Sequence, residues 1–255
     1  MQSIINEDLQ QTLDSSSSLT IADLVQKMID LQWLVYISGG APRDWLLGLN
    51  ANDIDLSVSV DVNTIQEFCT SVLPSCKMSV NENFGIVNLE GDNYKLDINI
   101  IRTYADIENE LDEMTFKVSE SLNKDIYIRD FTINALYYDC KNCEILDPSG
   151  FGLADLENKV LRLIMEPKKL SVDYRIGIRI LQFMARGYTA MPESLEILTK
   201  KFKQHVADFD GFEFWLGIYI QPNKAYYNKF KELAISYCCQ QTKQKLLLMF
   251  NKMEM

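Results

Sequence analysis

The sequence predicts an α/β (α+β) N-terminal half with a small mixed sheet, followed by an all-helical C-terminal half. In the first half, short apolar or alternating runs that are typical of strands are interspersed with segments of helical period. Beyond Pro148 the apolar spacing is helical. We therefore expect a flexible lead-in over residues 1–19, an α/β region over 20–150 and a helical region over 151–255.

The expected elements follow in order along the chain. Residues 1–19 are polar and contain a run of four serines, which is typical of a flexible segment. Thr20 is a suitable N-cap for a helix starting at Ile21, and Gly39-Gly40 ends the first strand in a tight turn. Strands are predicted over 33–38, 54–60, 84–89 and 94–101, with a hairpin or a pair of loops over 137–146. Helices are predicted over 21–31, 63–73, 152–159, 170–187, 192–206, 210–220 and 224–250, with a further one beginning near Pro42 and an acidic loop over 103–125.

Composition excludes several classes of protein. The chain has 255 residues, is 47% hydrophobic and carries a net charge of −11, which is ordinary for a globular protein. No run approaches about 18 apolar residues and the N-terminus does not resemble a secretory signal, so we expect a cytoplasmic protein without a membrane span. Six cysteines in a chain of this length favour reduced thiols. His205 is the only histidine, so catalysis is expected to depend on carboxylates, Arg, Lys or backbone amides.

Two acids in the predicted strand 54–60 and at its start are the first candidates for chemistry. Asp53 and Asp55 are two positions apart, so on a strand both carboxylates project from one face. Two carboxylates held together repel each other unless a cation lies between them, and Mg²⁺ prefers such oxygen ligands. A solvated strand face is the alternative interpretation of the pair alone.

The surroundings of the pair favour a site for a phosphate ligand. Gly39 and Gly40 allow backbone amides to approach a ligand closely, and the helix start that follows favours an anion. Arg43 could pair with phosphate oxygens. Asp97 lies in another predicted strand and would supply a third carboxylate if the two strands are neighbours.

These residues carry a resemblance to a known family. Residues 39–48 (GGAPRDWLLG) and 53–56 (DIDL) resemble the signature GGxxRDxLLG…DxDL of class II tRNA nucleotidyltransferases and bacterial poly(A) polymerases, within the DNA polymerase β superfamily. Residues 129–136 (RDFTINAL) resemble the family motif RRDFTINAL, and residues 147–162 resemble the segment that follows it. The resemblance covers about residues 33–187 and implies a nucleotidyltransferase head followed by a helical neck and a reduced body.

The resemblance implies a role for each matching position. Asp53 and Asp55 would hold two catalytic Mg²⁺ ions, which activate an RNA 3′-hydroxyl against the α-phosphate of a nucleoside triphosphate and release pyrophosphate. Asp97 would be the third catalytic carboxylate. The residues that would bind the nucleotide are Gly39, Gly40, Arg43, Arg102, Arg129, Asp130 and Asn134. For Asp130 and Asn134, capping and local hydrogen bonding are the alternative.

The base-reading helix departs from the family pattern EDxxRxxRxxRF. Asp173 and Arg179 match, and they are candidates for reading the base together with Arg175. Arg175 stands one place early, however, which rotates a helical side chain by about 100°. The resemblance therefore implies ATP as substrate, with CTP as a further one, and leaves the choice between them open.

The charge distribution is compatible with an RNA partner. Residues 1–159 hold 10 basic and 27 acidic side chains, whereas residues 160–255 hold 15 and 9. The basic surplus lies in the helices along which the family's RNA would run. Solvated helix faces are the alternative interpretation. The candidate RNA-binding residues are Arg186, Lys200, Lys201 and Lys203.

The leading hypothesis is template-independent transfer of AMP or CMP to an RNA 3′ end, with tRNA as the expected partner. Addition of CCA and addition of oligo(A) are not separated by these motifs. One alternative is a nucleotidyltransferase that modifies a protein or a small molecule, and another is a nucleotide-binding pseudoenzyme. The oligomeric state is left open.

Overall fold

The computed structural model describes residues 1–13, 18–91, 94–104, 116–165, 175–204, 224–238 and 240–253. They belong to two compact units, Met1–Leu153 and Ala154–Met255.

The first unit is built on a seven-stranded mixed sheet. Its strands are β1 (Val35–Ser38), β2 (Asp55–Val58), β3 (Lys77–Asn81), β4 (Ile86–Glu90), β5 (Lys95–Ile100), β8 (Tyr137–Asp139) and β9 (Glu144–Leu146). Their order is β3-β4-β5-β2-β1-β8-β9, with β2 and β5 parallel and the other neighbours antiparallel. A separate antiparallel pair joins β6 (Arg102–Tyr104) to β7 (Phe116–Val118). The helices of this unit are α1 (Gln2–Leu9), α2 (Ile21–Asp30), α3 (Gly40–Leu46), α4 (Val62–Val72) and α5 (Leu122–Asp125).

Side-chain alternation gives the central strands one apolar and one polar face. Ile37, Leu56 and Ile98 are paired in register across β1, β2 and β5, and all three are fully buried. They belong to a single apolar core that also includes the buried residues of α2 and α4. Because residues two apart share a face, the opposite side of these strands presents the polar residues that alternate with them.

The structure confirms the helix predicted at Ile21 and its cap. The Thr20 hydroxyl accepts a hydrogen bond from the Asp23 amide, and the Asp23 carboxylate accepts one from the Thr20 amide, which together form a capping box. The predicted hairpin is also present as β8 and β9. The acidic loop predicted over 103–125 differs in part, since β6, β7 and α5 occupy its flanks; residues 105–115 lie outside the described residues.

The first residues differ from the predicted flexible lead-in, because residues 2–9 form α1. Ile5 and Asp8 are three residues apart on one helix face, and both are almost completely buried. Leu13 is fully buried as well, and its carbonyl accepts a hydrogen bond from the Tyr94 amide. The polar composition concealed this segment, since only two of its helical residues enter the interior.

Within its described residues, the second unit has four longer helices and one short sheet. The helices are α7 (Arg175–Ala185), α8 (Pro192–Gln204), α9 (Tyr227–Tyr237) and α10 (Gln240–Met253), preceded by α6 (Gly152–Glu157), which spans the boundary between the units. β10 (Val160–Leu161) pairs in parallel with β11 (Thr189–Ala190), so the prediction of an all-helical region was wrong at these residues. Two-residue strands are too short to leave a periodic signal. The helix predicted over 210–220 lies outside the described residues.

None of the helices in the described ranges is both long enough and apolar enough to span a bilayer.

Candidate active site

A row of polar residues crosses the centre of the sheet at one level. Ser38 of β1 is paired with Asp55 of β2, and Asp55 is paired with Asp97 of β5. Asp97 is in turn paired with Asn88 of β4, whose amide nitrogen donates to Asp97 Oδ1 at 2.7 Å. Strands β2 and β5 are therefore neighbours, as the prediction of a third carboxylate required, and Asp55 and Asp97 lie side by side.

Asp55 lies in an unfavourable environment for a negative charge. Burial and the nearby charges of Asp97 and Asp53 raise the pKa of Asp55 to about 6, although Arg129 and Arg102 act in the opposite direction. Among the described residues, none donates a hydrogen bond to the Asp55 carboxylate. A carboxylate in this position favours a cation beside it.

Asp53 is placed differently from the sequence prediction. Strand β2 begins at Asp55, so Asp53 belongs to the loop before the strand and is exposed. The alternation of a strand therefore does not align the two acids. The charge of Asp53 nevertheless contributes to the raised pKa of Asp55.

The turn after β1 lies directly against the Asp55 carboxylate. Gly39 has φ 75° and ψ −129°, a conformation open mainly to glycine. A Cβ atom at this position would be 2.7 Å from Asp55 Oδ2. The predicted glycine pair is thus confirmed as a tight turn, and it is adjacent to the acidic residue.

A hydrogen-bonded chain links this turn to the second motif. Arg43 Nη1 donates to Asn134 Oδ1 at 2.5 Å, and Asn134 Nδ2 donates to Asp130 Oδ1 at 2.9 Å. Arg43 also pairs with Asp44 at 2.8 Å. Arg43 is therefore joined to Asn134, which lies 91 positions later in the sequence. Asn134 contacts both Arg43 and Asp130, so the two residues of the second motif have hydrogen-bonding roles within the protein.

Arg129 is held from inside the protein by a residue that the sequence analysis missed. Its Nη2 lies 2.7 Å from Asp125 Oδ2, and Asp125 is fully buried. The Tyr137 hydroxyl donates to the same carboxylate oxygen at 2.6 Å. Burial would raise the pKa of Asp125, but Arg129 and the Tyr137 hydrogen bond hold it below its ordinary value. No local signal in the sequence marks Asp125, because its partners are brought to it by the fold.

The same guanidinium reaches the polar row. Arg129 Nη2 is 3.3 Å from the hydroxyls of Ser38 and Ser57, which are 2.9 Å from each other. Its charge acts to lower the pKa of Asp55. Arg129 is therefore a largely buried counter-charge in the structure. The contact with a nucleotide that the resemblance implied for Arg129 stays a prediction.

Arg102 is also engaged with the protein. Its Nη1 donates to the Phe84 carbonyl at 2.7 Å, and its guanidinium lies over the Phe116 ring at 5.1 Å from the centroid. Its backbone amide donates to Asp125 Oδ1 at 2.8 Å. Arg102 thereby connects β6 to the buried ion pair.

The acidic residues of this site are compatible with Mg²⁺ as a ligand. Within the described ranges, no group of three or more His, Cys, Asp or Glu side chains is arranged as a ready-made metal site. Mg²⁺ in nucleotide enzymes is commonly held by one or two carboxylates together with water and substrate phosphates. Asp53 and Asp55 fit that requirement, because they are oxygen ligands two residues apart in the chain and Asp55 receives no hydrogen bond from the described residues.

The remaining candidates lie in the second unit. Arg175, Arg179 and Arg186 follow one another at spacings of four and seven along and just beyond α7, and each is partly exposed. They therefore share one stripe of the helix with Gln182, while Ile176 is buried. Asp173 lies outside the described residues. Lys200, Lys201 and Lys203 belong to α8, and the side chains of these lysines lie outside the description.

We expect the Gly39→Ala substitution to reduce the rate of any reaction at Asp55 by about 100-fold. The added methyl group would lie 2.7 Å from Asp55 Oδ2 and would force the carboxylate out of its position. The positive φ adds strain of about 1–3 kcal/mol. Steady-state activity and denaturant unfolding measure the two effects. Gly48→Ala is the matched control: Gly48 also has φ 75°, but a Cβ there would meet nothing within 4 Å. Equal losses of activity in both variants would contradict the close approach to Asp55.

Comparison with known proteins identifies similar chains. Residues 35–162, just over half of the sequence, match the family described as the poly A polymerase head domain. The chain is 28% identical over 167 residues to a CCA-adding enzyme of Bacillus pumilus, covering 65% of this chain and 40% of that one. It is 30% identical over 150 residues to a CC-adding tRNA nucleotidyltransferase of Shouchella clausii, covering 59% of this chain and 34% of that one.

A solved structure supports the fold. The crystal structure of the Bacillus stearothermophilus CCA-adding enzyme in complex with CTP aligns with a TM-score of 0.68 at 20% identity, covering 89% of this chain and 56% of that one. The mixed α/β architecture is therefore confirmed. The chain spans less than half the length of the two curated relatives that it matches.

Proposed function

Because the chain belongs to the poly A polymerase head-domain family, we propose that it is a template-independent nucleotidyltransferase acting on an RNA 3′-hydroxyl. ATP is the proposed substrate and AMP the transferred group. CTP is a second proposed substrate, from which CMP is transferred. The proposed acceptor is a tRNA 3′ end, since both curated relatives described above are named for CCA or CC addition.

The observation that carries the proposal is the environment of Asp55. This carboxylate is strained electrostatically by Asp97 and Asp53, and no described residue hydrogen-bonds to it. An acid of this kind at the centre of a sheet lowers the stability of the protein unless a bound ligand compensates its charge. Such destabilised acids are typical of functional sites.

Mg²⁺ would be held by Asp53 and Asp55, with Asp97 as the proposed third catalytic carboxylate. When bound, the metal would supply charge neutralisation for the triphosphate and for the leaving pyrophosphate. The two-metal arrangement is part of the proposal.

The chain's own residues would bind and orient the substrates. The Gly39-Gly40 turn, where a Cβ atom would contact Asp55 or Arg43, is the proposed site of backbone approach to the phosphates. Arg43 supplies a positive charge whose direction is fixed by Asn134. Asp130 acts through Asn134, so its proposed role is to position Arg43. Arg129 holds the serine hydroxyls and offsets the charge of Asp55 from within.

In the second unit, the arginine stripe of α7 is the proposed base-reading surface. Gln182 occupies a place on this stripe at which the family pattern has Arg, and the Arg of the first family position is replaced by the buried Ile176. Arg186 and the lysines of α8 are the proposed contacts for RNA, and we expect their contribution to weaken with salt.

The proposal is tested by incubating the protein with labelled ATP or CTP, Mg²⁺ and tRNA ending before or within its CCA terminus. We expect label at the RNA 3′ end, and we expect Asp53→Asn to reduce incorporation by about 10³-fold or more, since loss of a metal ligand removes several kcal/mol of charge stabilisation. Asp61→Asn is the matched control, because Asp61 is an exposed helix cap whose carboxylate accepts a hydrogen bond from the Thr64 amide.

The acceptor that becomes labelled separates the competing functions. Label on protein or on a small molecule, with RNA unlabelled, would support a nucleotidyltransferase of another substrate class. Nucleotide binding without transfer to any acceptor would indicate a pseudoenzyme. Undiminished transfer by Asp53→Asn would refute the proposed metal ligand.

A further inference from the structure

Asp8 of the N-terminal helix is a buried acid that none of the roles above uses. Its side chain is 1% exposed, and it accepts three hydrogen bonds from two different elements. Oδ2 accepts from Trp45 Nε1 at 2.6 Å and from the Ala51 amide at 2.8 Å, and Oδ1 accepts from Asn50 Nδ2 at 3.0 Å. All three donors belong to α3 or to the loop that leads from α3 to β2.

The position of Asp8 does not serve its own helix. It lies in the last turn of α1, where the partial negative charge of the helix end disfavours a carboxylate. Burial of an acid adds a further cost unless its oxygens are satisfied. Its hydrogen bonds to the α3–β2 loop are what offset these costs.

The loop held by Asp8 is the one that carries Asp53. Its first part is fixed to α3, since Gly48 and Leu49 donate to the carbonyls of Trp45 and Asp44. Ala51 is fixed by Asp8, and the next buried anchor is Ile54. Asp53 therefore lies between two anchored residues, with only Asn52 separating it from the one that Asp8 holds.

We propose that Asp8 is a positioning residue that fixes Asp53 for metal binding through the hydrogen bonds to Trp45 and Ala51. This inference rests on the proposed function, in which Asp53 is a metal ligand. Loss of the Asp8 acceptors frees residues 50–53, and the metal then has to order this segment when it binds. Mutation of a residue that orients a metal ligand commonly lowers metal affinity or activity by about 10- to 100-fold.

The test compares Mn²⁺ affinity, measured by electron paramagnetic resonance, in three full-length variants at a temperature at which each is folded. Asp8→Leu removes every acceptor, and we expect its Mn²⁺ affinity to fall by about 10- to 100-fold. We also expect kcat to fall by a larger factor than the factor by which KM for ATP changes. Asp8→Asn retains an oxygen for Trp45 and Ala51, and Asn50 can turn its amide to face the new nitrogen, so near wild-type affinity is expected. Asp23→Ala loses the capping box of α2 and is expected to lower stability, but its Mn²⁺ affinity should equal that of the wild type.

Wild-type Mn²⁺ affinity in folded Asp8→Leu, or an equal loss in Asp23→Ala, would overturn the proposal. If Asp8→Leu does not fold, the reciprocal effect is measured in the wild type: saturating Mg²⁺ should slow hydrogen exchange of the Ala51 amide and the Trp45 indole N–H, and unchanged exchange would overturn the proposal. Wild-type protein that binds Mn²⁺ but transfers no nucleotide would refute the proposed function alone. Absence of Mn²⁺ binding would refute both.

Discussion

Replacing Asp55 by Asn is expected to abolish nucleotidyl transfer and to make the metal-free protein more stable. The pKa of Asp55 is raised from 3.8 to about 6, so between these values the native state binds more protons than the unfolded state. Stability of the wild type therefore falls as pH rises through this window, and the cost is fully present near pH 7. Asp55→Asn escapes this cost, and we expect a gain on the order of 1–3 kcal/mol in the absence of metal.

Urea unfolding in EDTA, repeated between about pH 4 and pH 8, measures the effect. The difference between variant and wild type should grow with pH and level off above about pH 6. Added Mg²⁺ should stabilise the wild type and leave the variant unchanged. Asp61→Asn is the control, because hydrogen bonds from Thr64 lower the pKa of Asp61 and its pH dependence has the opposite sign. A variant that is no more stable than the wild type near pH 7 would contradict the electrostatic description of the site.

Replacing Asp125 by Asn is expected to destabilise the protein by about 3–5 kcal/mol, because it leaves the Arg129 charge buried without its partner. The pair is tightly connected, since Asp125 also accepts from Tyr137 and from the Arg102 amide. The paired replacement Asp125→Leu with Arg129→Met should recover part of this loss, since it avoids the desolvation of both ions but leaves the Tyr137 hydroxyl and the Arg102 amide without their acceptor. Urea unfolding of Asp125→Leu, of Arg129→Met and of the double variant gives the coupling energy between the two residues.

The same double variant should remain impaired in transfer, because it lacks the counter-charge that lowers the pKa of Asp55. Its activity should therefore begin at a higher pH than that of the wild type. Glu90→Gln is the matched control in the same sheet: the Glu90–Lys95 pair is exposed, and its loss should leave stability close to that of the wild type. Additive losses in the double variant would show that Asp125 and Arg129 act independently.

Elements with a local signal could be predicted from the sequence. The helix after Thr20 combines helical periodicity with a capping box, and β1 is an apolar run ended by two glycines. The edge strand β3 was missed, because its residues alternate between exposed and half-buried and contribute little apolar surface. Local pattern therefore predicts an element only where that element buries a face.

The candidate site could be predicted only as a set of residue types. The sequence indicated that Asp55, Asp97 and Arg43 belong together, partly through the family resemblance. It could not indicate that Asn88 orients Asp97, that Asp125 holds Arg129, or that Asp8 holds the loop of Asp53. Each of these partners is supplied by pairing between distant segments, and no periodic pattern records such pairing.

The long separation between partners has a consequence for synthesis of the chain. Asn134 follows Arg43 by 91 residues, and Arg129 follows Ser38 by the same number. A chain growing from the ribosome therefore exposes its acidic strand well before the counter-charge and the amide that complete the centre have been made. Contacts of this range must overcome a large loop-closure entropy, so they form late in folding. Until residue 134 has emerged, the nascent chain carries Asp55 without the opposing charge of Arg129 or carries Arg43 without its hydrogen bond to Asn134.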